Sequence, residues 1–259
     1  MTALLTDGTI CVVSLLRERL LAVMDAKHHW AYPALTRPGL DREQLLVHFR
    51  HEYLVYVRDF PVLLARALGI TPPLPEIRAS LAGNLYEEQT GGLSGSAAHP
   101  ALFLRMMAGL GFGGGLFDET DATGLHPAAR DYRDYLRERS CAAPWQAAVA
   151  LLTIFVEGSV HERAELAGTY VRRVGDDAVR DHALVKHYGC PPEAMELTRA
   201  HAAVEGGHRE DAWAMVLDHV TDGTEVARVV VATCEQALHL WHAYRDGVAE
   251  RMGLRREAA

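Results

Sequence analysis

The sequence has few of the features that mark secreted or nucleic-acid-binding proteins. It contains only four cysteines, widely separated and without a CxxC pair, so neither a disulfide framework nor a zinc knuckle is indicated. We expect reduced, mostly buried thiols. The net charge is −8 and no cluster of lysine and arginine is present, which argues against a nucleic-acid partner.

Long hydrophobic runs are also missing. The only apolar stretch near the start, ICVVSLL, follows Asp7 and precedes Arg17, Glu18 and Arg19. It is too short to span a membrane, and its flanks do not suit a signal peptide. We therefore expect a cytoplasmic protein with no membrane partner.

Apolar residues make up 49% of the 259 residues, and they recur mostly at helical spacing. No convincing alternating strand pattern is present. Because the chain has no internal repeat and no long linker, we expect one domain covering residues 1–259. The predicted fold is all-α, a bundle of seven to nine helices of which about seven form the core.

Several helix boundaries can be predicted from local signals. A first helix is expected over residues 11–29. Asp41, with a glutamine three residues later, predicts a capping box at the start of a long helix that Gly69 ends. Thr71-Pro72 suggests the N-cap of the next helix. Later helices are predicted over residues 126–139, 144–173, 191–219 and 223–252.

The stretch HAAVEGGH contains His201, Glu205 and His208. On a helix these three side chains lie within about 60° of arc, so they could bind Fe, Mn or Zn. Alternatively they form ordinary surface pairs, since such spacings are common on exposed helices. Gly206-Gly207 costs roughly 1 kcal/mol per glycine in a helix, which slightly favours a site that something approaches closely.

Glu157 is the first charged residue after the apolar run WQAAVALLTIFV. Helical phasing points it inward, where an unpaired carboxylate is normally protonated, paired or bound to a metal. We favour a metal ligand over a structural pair with His161 or an arginine. His161 and Glu162 are the nearby alternatives for the same role.

A third pattern is NLYEEQTGGLSGSAAHPALF, in which Glu87 and Glu88 end one helix and His99 begins the next. Alone this helix-loop-helix elbow is a weak signal. The three patterns together supply three carboxylates and three neutral imidazoles from four helices. Their charge of −3 balances most of the +4 of two divalent metals, which indicates a dinuclear site in a helix bundle.

The chain resembles the haem-oxygenase-like di-metal oxidases and oxygenases, relatives of the thiaminase TenA and of PqqC. The resemblance includes YPALTRPGLDREQLLVHFRHEYLVY, the elbow, FVEG, HAAVEGGH and ALHLWHAYRDGV. It implies a haem-oxygenase-like bundle whose metal ligands, also the catalytic residues, are Glu88, His99, Glu157, His201, Glu205 and His208.

Some positions depart from the family pattern. Many relatives have aspartate where this chain has Glu205, and the interval from Glu157 to His201 is long. Glu162 therefore stays an alternative to Glu157. Glu87 competes with Glu88, although the glycine-rich sequence that follows favours Glu88.

The resemblance implies two Fe(II) ions with O2 as co-substrate, and it leaves open whether an external electron donor takes part. The expected substrate is an amino acid or amino-acid-derived amine in specialised metabolism. N-oxygenation and oxidative C–C cleavage are both known outcomes in the family, and the long Glu88–His99 elbow slightly favours N-oxygenation.

Two other functions remain open at this point. One is a metal-independent TenA-like hydrolase, for which Cys234 is the only plausible nucleophile. The other is a non-enzymatic helical binding protein, and metal content after purification would separate these readings. A homodimer is the default expectation. Candidates for contact with the substrate are the cations Arg58, Arg105 and Lys186 and the tyrosines Tyr53, Tyr56 and Tyr86.

Overall fold

The computed structural model describes residues 2–4, 10–12, 14–117 and 124–256, with side chains described at 14–117, 124–201, 203 and 209–256. Two short antiparallel strands, β1 (Thr2–Leu4) and β2 (Ile10–Val12), precede the helices. The predicted helix start at Cys11 is therefore wrong, because Cys11 lies in β2 and pairs with Ala3 of β1. The first helix begins at Leu15, after Ser14 caps it by accepting the N–H of Arg17.

The rest of the described chain is helical, which confirms the predicted all-α fold. Thirteen α-helical segments are described: α1 (Leu15–Asp25), α2 (Tyr32–Leu35), α3 (Arg42–Glu52), α4 (Phe60–Ile70), α5 (Pro75–Thr90), α6 (His99–Gly109), α7 (Pro127–Arg139), α8 (Trp145–Val149), α9 (Glu162–Leu166), α10 (Gly175–Asp181), α11 (Ala183–Tyr188), α12 (Glu196–Leu217) and α13 (Glu225–Arg251). Two π-helical segments, Tyr53–Val57 and Ala150–Val156, continue α3 and α8. Short 3₁₀ turns cover Gly114–Leu116 and Pro192–Ala194.

The capping box at Asp41 is present, but the long helix predicted to follow it is interrupted. The π-helical segment Tyr53–Val57 ends α3, and α4 restarts at Phe60 with Pro61 in its first turn. Proline has no N–H to continue the ladder, so the chain restarts a helix there. Gly69 lies inside α4, which ends at Ile70.

Thr71 does not begin a helix. Its buried hydroxyl donates to the carbonyl of Ala67, so it ends α4, and α5 starts four residues later at Pro75. The end of α5 agrees with the prediction. Gly91 takes a left-handed conformation with φ 67° immediately after the helix, a conformation that glycine adopts without steric cost.

The helix predicted over residues 144–173 is also divided. Its carbonyls at Phe155, Val156 and Gly158 accept hydrogen bonds from the ammonium of Lys27, so a residue just after α1 caps this end. A side chain at Gly158 would meet the carbonyl oxygen of Ile154 at 2.2 Å, which leaves room only for glycine. The chain leaves the helix there and forms the shorter α9, α10 and α11.

The buried hydrophobic side chains form one contiguous cluster that draws on residues from α1 to α13. The long helix α13 packs against α1, α3, α7 and α8. On another side of the bundle, α12 contacts α5, α6 and the second π-helical segment. No helix in the described part of the chain is long and apolar enough to cross a bilayer.

Candidate metal centre

A cavity of about 250 Å³ lies among α5, α6, α12 and the two π-helical segments. Six of its described wall residues are predicted or alternative metal ligands: Glu87, Glu88, His99, Glu157, Glu162 and His201. The fold therefore brings side chains from three separate parts of the sequence to one cavity.

Glu87 is a supporting residue of this cavity. Its carboxylate is 1% exposed and accepts the backbone N–H groups of Leu93 and Ser94, the Ser94 hydroxyl and the Nε2–H of His99. Burial alone would raise the pKa of Glu87, but these hydrogen bonds outweigh it and lower the pKa. An ionised Glu87 thus fixes the His99 ring with its proton on Nε2.

The other ring nitrogen of His99 faces Glu88. Nδ1 lies 2.9 Å from Oε1 of Glu88, a distance that suits an ion pair, but the two atoms do not form a well-aligned hydrogen bond. Burial disfavours the charged imidazolium, but the two carboxylates outweigh that effect and raise the pKa of His99. Without a metal, a proton on Nδ1 would face the Glu88 carboxylate; a metal ion bound by Nδ1 and Glu88 would take the place of that proton.

His201 completes a three-residue cluster with Glu88 and His99. One ligand atom from each lies within 4.8 Å of the others, and the two imidazole rings meet edge to face at 4.9 Å. Imidazole nitrogens and a carboxylate are donors that Fe(II) accepts readily. These three side chains therefore fit an iron ion, because their ligand atoms are of the right kind and because Nδ1 of His99 lacks a well-aligned hydrogen bond.

Glu157 follows directly after the second π-helical segment and lines the cavity half-buried. The amide of Asn84 on α5 donates to its Oε1 at 2.7 Å. This hydrogen bond orients the carboxylate beside the cluster. The assignment of Glu157 as a ligand stays a prediction.

Glu162, the alternative to Glu157, forms hydrogen bonds and an ion pair within the protein. It is 1% exposed; Trp213 donates to its Oε1 at 2.8 Å and the N–H of Ser159 donates to its Oε2 at 3.3 Å. The guanidinium of Arg209 pairs with it at 3.3 Å. Both oxygens are thus occupied by donors, which favours Glu157 for the metal.

The remaining predicted ligands, Glu205 and His208, have side chains outside the described residues. Their backbone belongs to α12 together with His201, so HAAVEGGH is helical and its two glycines do not end the helix. Their assignment stays a prediction.

Of the tyrosines expected near a substrate, Tyr56 lines the cavity. Its hydroxyl donates to Glu52 and accepts from Arg245, so the ring is held in place. Tyr53 is instead a core residue stacked on Phe103. Tyr86 is 52% exposed and is absent from the described lining.

None of the three predicted cationic contacts lies on the described lining. Each forms an ion pair elsewhere: Arg58 with Asp59, Arg105 with Glu196 and Lys186 with Asp181. The cation that does line the cavity is Arg209, which pairs with Glu162 and Glu165. The sequence reasoning missed it, although it follows Glu205 by one helical turn.

Cys234 does not suit a hydrolytic nucleophile. It is 1% exposed, burial raises the pKa of its thiol to about 12, and it is absent from the described lining of the cavity. A neutral, enclosed thiol is inert. The described free thiols are otherwise the exposed Cys141 and the buried Cys190, in part as predicted.

Comparisons with known proteins agree with this geometry. A family model described as an iron-containing redox enzyme matches residues 47–242. The fold is similar to a TenA homologue from Pseudomonas syringae pv. tomato, with TM-score 0.66, 13% identity and coverage of 92% of this chain and 93% of that one. It is equally similar to a domain of unknown function with a heme oxygenase-like fold from Shewanella denitrificans, with TM-score 0.66, 18% identity and coverage of 96% and 97%. No curated protein gave a significant match.

Proposed function

The chain belongs to the family of iron-containing redox enzymes, and we propose that it is a non-haem di-iron oxidoreductase that uses O2 to oxidise an amino acid or an amino-acid-derived amine. The observation that carries this proposal is the buried Nδ1 of His99. It lies beside Glu88 and His201 without a hydrogen-bond donor among the described residues, while Glu87 keeps the ring proton on the opposite nitrogen. That arrangement suits a metal ligand better than a structural pair.

The six predicted ligands divide between two ions. Glu88, His99 and His201 form the described cluster, and Glu157 reaches the cavity from the opposite helix. Glu205 and His208 complete the proposed set from α12. Bound Fe(II) would supply the electrons that O2 activation requires and that protein side chains alone do not supply.

The same cavity offers a place for the substrate. Its volume of about 250 Å³ suits a small molecule of amino-acid size, near the lower end of ligand pockets. Val57, Phe60 and Leu197 supply an apolar wall that excludes water and packs an aliphatic side chain. Arg209 is the cation on the described lining, and although it pairs with Glu162 and Glu165 it is the proposed contact for a substrate carboxylate.

N-oxygenation is the preferred outcome. The overall reaction joins one oxygen atom of O2 to the amine nitrogen and reduces the other to water, with two electrons and two protons from an external donor. Oxidative C–C cleavage of the same substrates is the second outcome within this proposal.

Anaerobic Fe(II) loading followed by an O2 pulse tests the proposal. We expect two iron ions per chain at saturation and O2 consumption that rises when the correct amino acid is present, followed by absorption spectroscopy and product analysis. His99→Ala is the matched loss-of-site variant, and Cys234→Ser is the control that should behave as wild type. A wild-type protein that binds no iron, or a Cys234→Ser variant that loses all activity, would contradict the proposal.

A further inference from the structure

A second cavity adjoins the candidate metal centre on the far side of Glu157. Its volume is about 110 Å³, and it lies between α5, the second π-helical segment and α12. It shares Asn84, Thr153 and Glu157 with the main cavity. The carboxylate of Glu157 is therefore reached from two directions.

The chemistry of the two cavities differs. Five of the eight described residues that line the second cavity have side-chain oxygens, among them the carboxylates of Glu157 and Asp211. Gly83, Ala212 and Met215 complete the described lining, and none of the eight residues is cationic. The main cavity contains Arg209. Oxygen ligands and negative charge suit a hydrated divalent cation, and they disfavour the carboxylate of an amino acid.

Gly83 keeps this second cavity open. It lines the cavity from the interior of α5, where glycine costs a helix up to about 1 kcal/mol relative to alanine. No close packing requires it, because a Cβ there would meet nothing within 4 Å. The missing side chain therefore leaves space, and that space belongs to the cavity.

The size of the cavity suits a cation that keeps part of its water. A single water needs roughly 10–15 Å³ of such space, so about 110 Å³ holds several waters. Asp211 is exposed and Glu157 is half-buried, so negative groups mark both the outer and the inner end.

We propose that this cavity is the route by which Fe(II) reaches the metal centre, separate from the space that the substrate occupies. This inference rests on the proposed function, since it presumes that the centre binds iron. The hydrated ion is attracted at Asp211, passes Ser80 and Asn84, and exchanges water for the carboxylate of Glu157. The route involves ligand exchange only, with no change of oxidation state.

The test is the rate of metal uptake by the full-length apo-protein. Fe(II) is mixed under nitrogen with each variant, and uptake is followed by quenching of tryptophan fluorescence, with Co(II) as an air-stable second probe. Gly83→Leu should slow uptake at least about tenfold, equivalent to a barrier roughly 1.4 kcal/mol higher. The number of ions bound at equilibrium should not change. Gly69→Leu is the matched control. Gly69 also lies in a helix, and a Cβ there would meet no atom within 4 Å, but Gly69 is on the described lining of neither cavity.

The charge at the outer end gives a second measurement. Asp211→Asn should slow uptake about threefold at low ionic strength, and the difference should disappear in high salt because salt screens exposed charges. Glu210→Gln, an exposed neighbour that is absent from the described lining, is the control and should leave the rate unchanged.

The outcomes separate this inference from the proposed function. A wild-type protein that binds no Fe(II) at equilibrium overturns both. Normal equilibrium binding with unchanged uptake in Gly83→Leu overturns the route and leaves the function standing. If Gly83→Leu lowers binding itself, Gly83→Ala and Asp211→Asn decide, and wild-type rates in both variants reject the route.

Discussion

Glu87 and Glu88 are identical neighbours in the sequence, yet the fold gives them different environments. Successive side chains on a helix diverge by about 100°, so one meets the Ser94 loop and the other faces the metal cluster. Glu87 is saturated with hydrogen bonds, whereas Glu88 approaches the orphaned nitrogen of His99. Only the resemblance to the family's glycine-rich sequence favoured Glu88 over Glu87, because the loop that saturates Glu87 with hydrogen bonds closes back only in the folded chain.

The two glutamates should respond differently to the same substitution. Glu88→Gln removes the charge of a proposed ligand, so we expect loss of at least one iron ion in an anaerobic Fe(II) titration. Glu87→Gln should keep the stoichiometry and weaken affinity by about 10–100-fold, since it only loosens the support of His99. Equal losses in the two variants would contradict this division.

His51 provides a pH-dependent contribution to stability. Its Nδ1–H donates to the carbonyl of Val47 at 2.7 Å, and its Nε2 accepts the N–H of His126 at 3.1 Å. Burial lowers its pKa from 6.5 to about 4 in the folded protein. Protonation of Nε2 would also remove the acceptor to which the N–H of His126 donates.

When the pH falls below the pKa that His51 has in the unfolded chain, His51 should destabilise the fold. Between pH 6.5 and 4 the unfolded chain binds a proton that the folded chain does not, so the free energy of unfolding falls as pH falls. From pH 7 to pH 5 this amounts to about 2 kcal/mol. Urea unfolding of His51→Gln should lack this part of the pH dependence, whereas the exposed His28→Gln should retain it. If the free energy of unfolding of His51→Gln depends on pH as it does in the wild type, His51 is not the source of this effect.

At the scale of elements, helix starts and ends were predictable where the signal is local. The capping box at Asp41 and the left-handed Gly91 depend only on adjacent residues. The break after Val156 depends on Lys27, which comes from more than a hundred residues away, and no local pattern reveals it. The π-helical segments were not predicted either, because their apolar sequences fit an α-helix equally well.

Gly158 should be the most sensitive glycine at the metal centre. An added Cβ would lie 2.2 Å from the Ile154 oxygen and 2.8 Å from Cε of Met24. We expect Gly158→Ala to lower the free energy of unfolding by about 1–3 kcal/mol and to weaken iron binding through displacement of Glu157. Gly69→Ala, in open space, should instead add up to about 1 kcal/mol. Chemical denaturation and Fe(II) titration of both variants check this, and wild-type values for Gly158→Ala would refute it.

For the whole molecule, the contact between α7 and α13 holds the bundle together away from the cavity. Gly247 on α13 lies against His126, which caps α7 by accepting the N–H of Ala128. A Cβ at Gly247 would meet Nδ1 of His126 at 2.1 Å. The two helices can approach this closely only because residue 247 has no side chain.

Gly247→Ala should therefore reduce stability without affecting the metal centre. A loss of about 1–3 kcal/mol corresponds to a melting temperature lower by roughly 2–10 °C in a chain of this size. Iron stoichiometry should stay at the wild-type value, because His126 does not line the cavity among the described residues. Loss of iron at temperatures where the variant is folded would contradict this separation.

The substrate side of the centre was less predictable than the metal side. Glu88 and His99 flank a glycine-rich loop, so their meeting could be inferred from the sequence. Arg58 and Lys186 are instead paired with Asp59 and Asp181 close by in the chain. The cation on the cavity wall is determined by the packing of α12, which places Arg209 there.

The two π-helical segments end beside the cavity, at Val57 on one wall and next to Glu157 on the other. A π-helix closes its hydrogen bonds one residue later than an α-helix. Deleting one residue from Ala150–Val156 would let α-helical bonding resume while Glu157 keeps its direction relative to α8, because a π-helical segment turns less per residue and so holds one extra residue. Deleting a second residue would rotate Glu157 by about 100°, and its carboxylate would leave the cavity. The π-helical segment therefore gives this wall a tolerance of one residue in length, and beyond that the spacing from Trp145 to Glu157 is as much a part of the candidate metal centre as its proposed ligands.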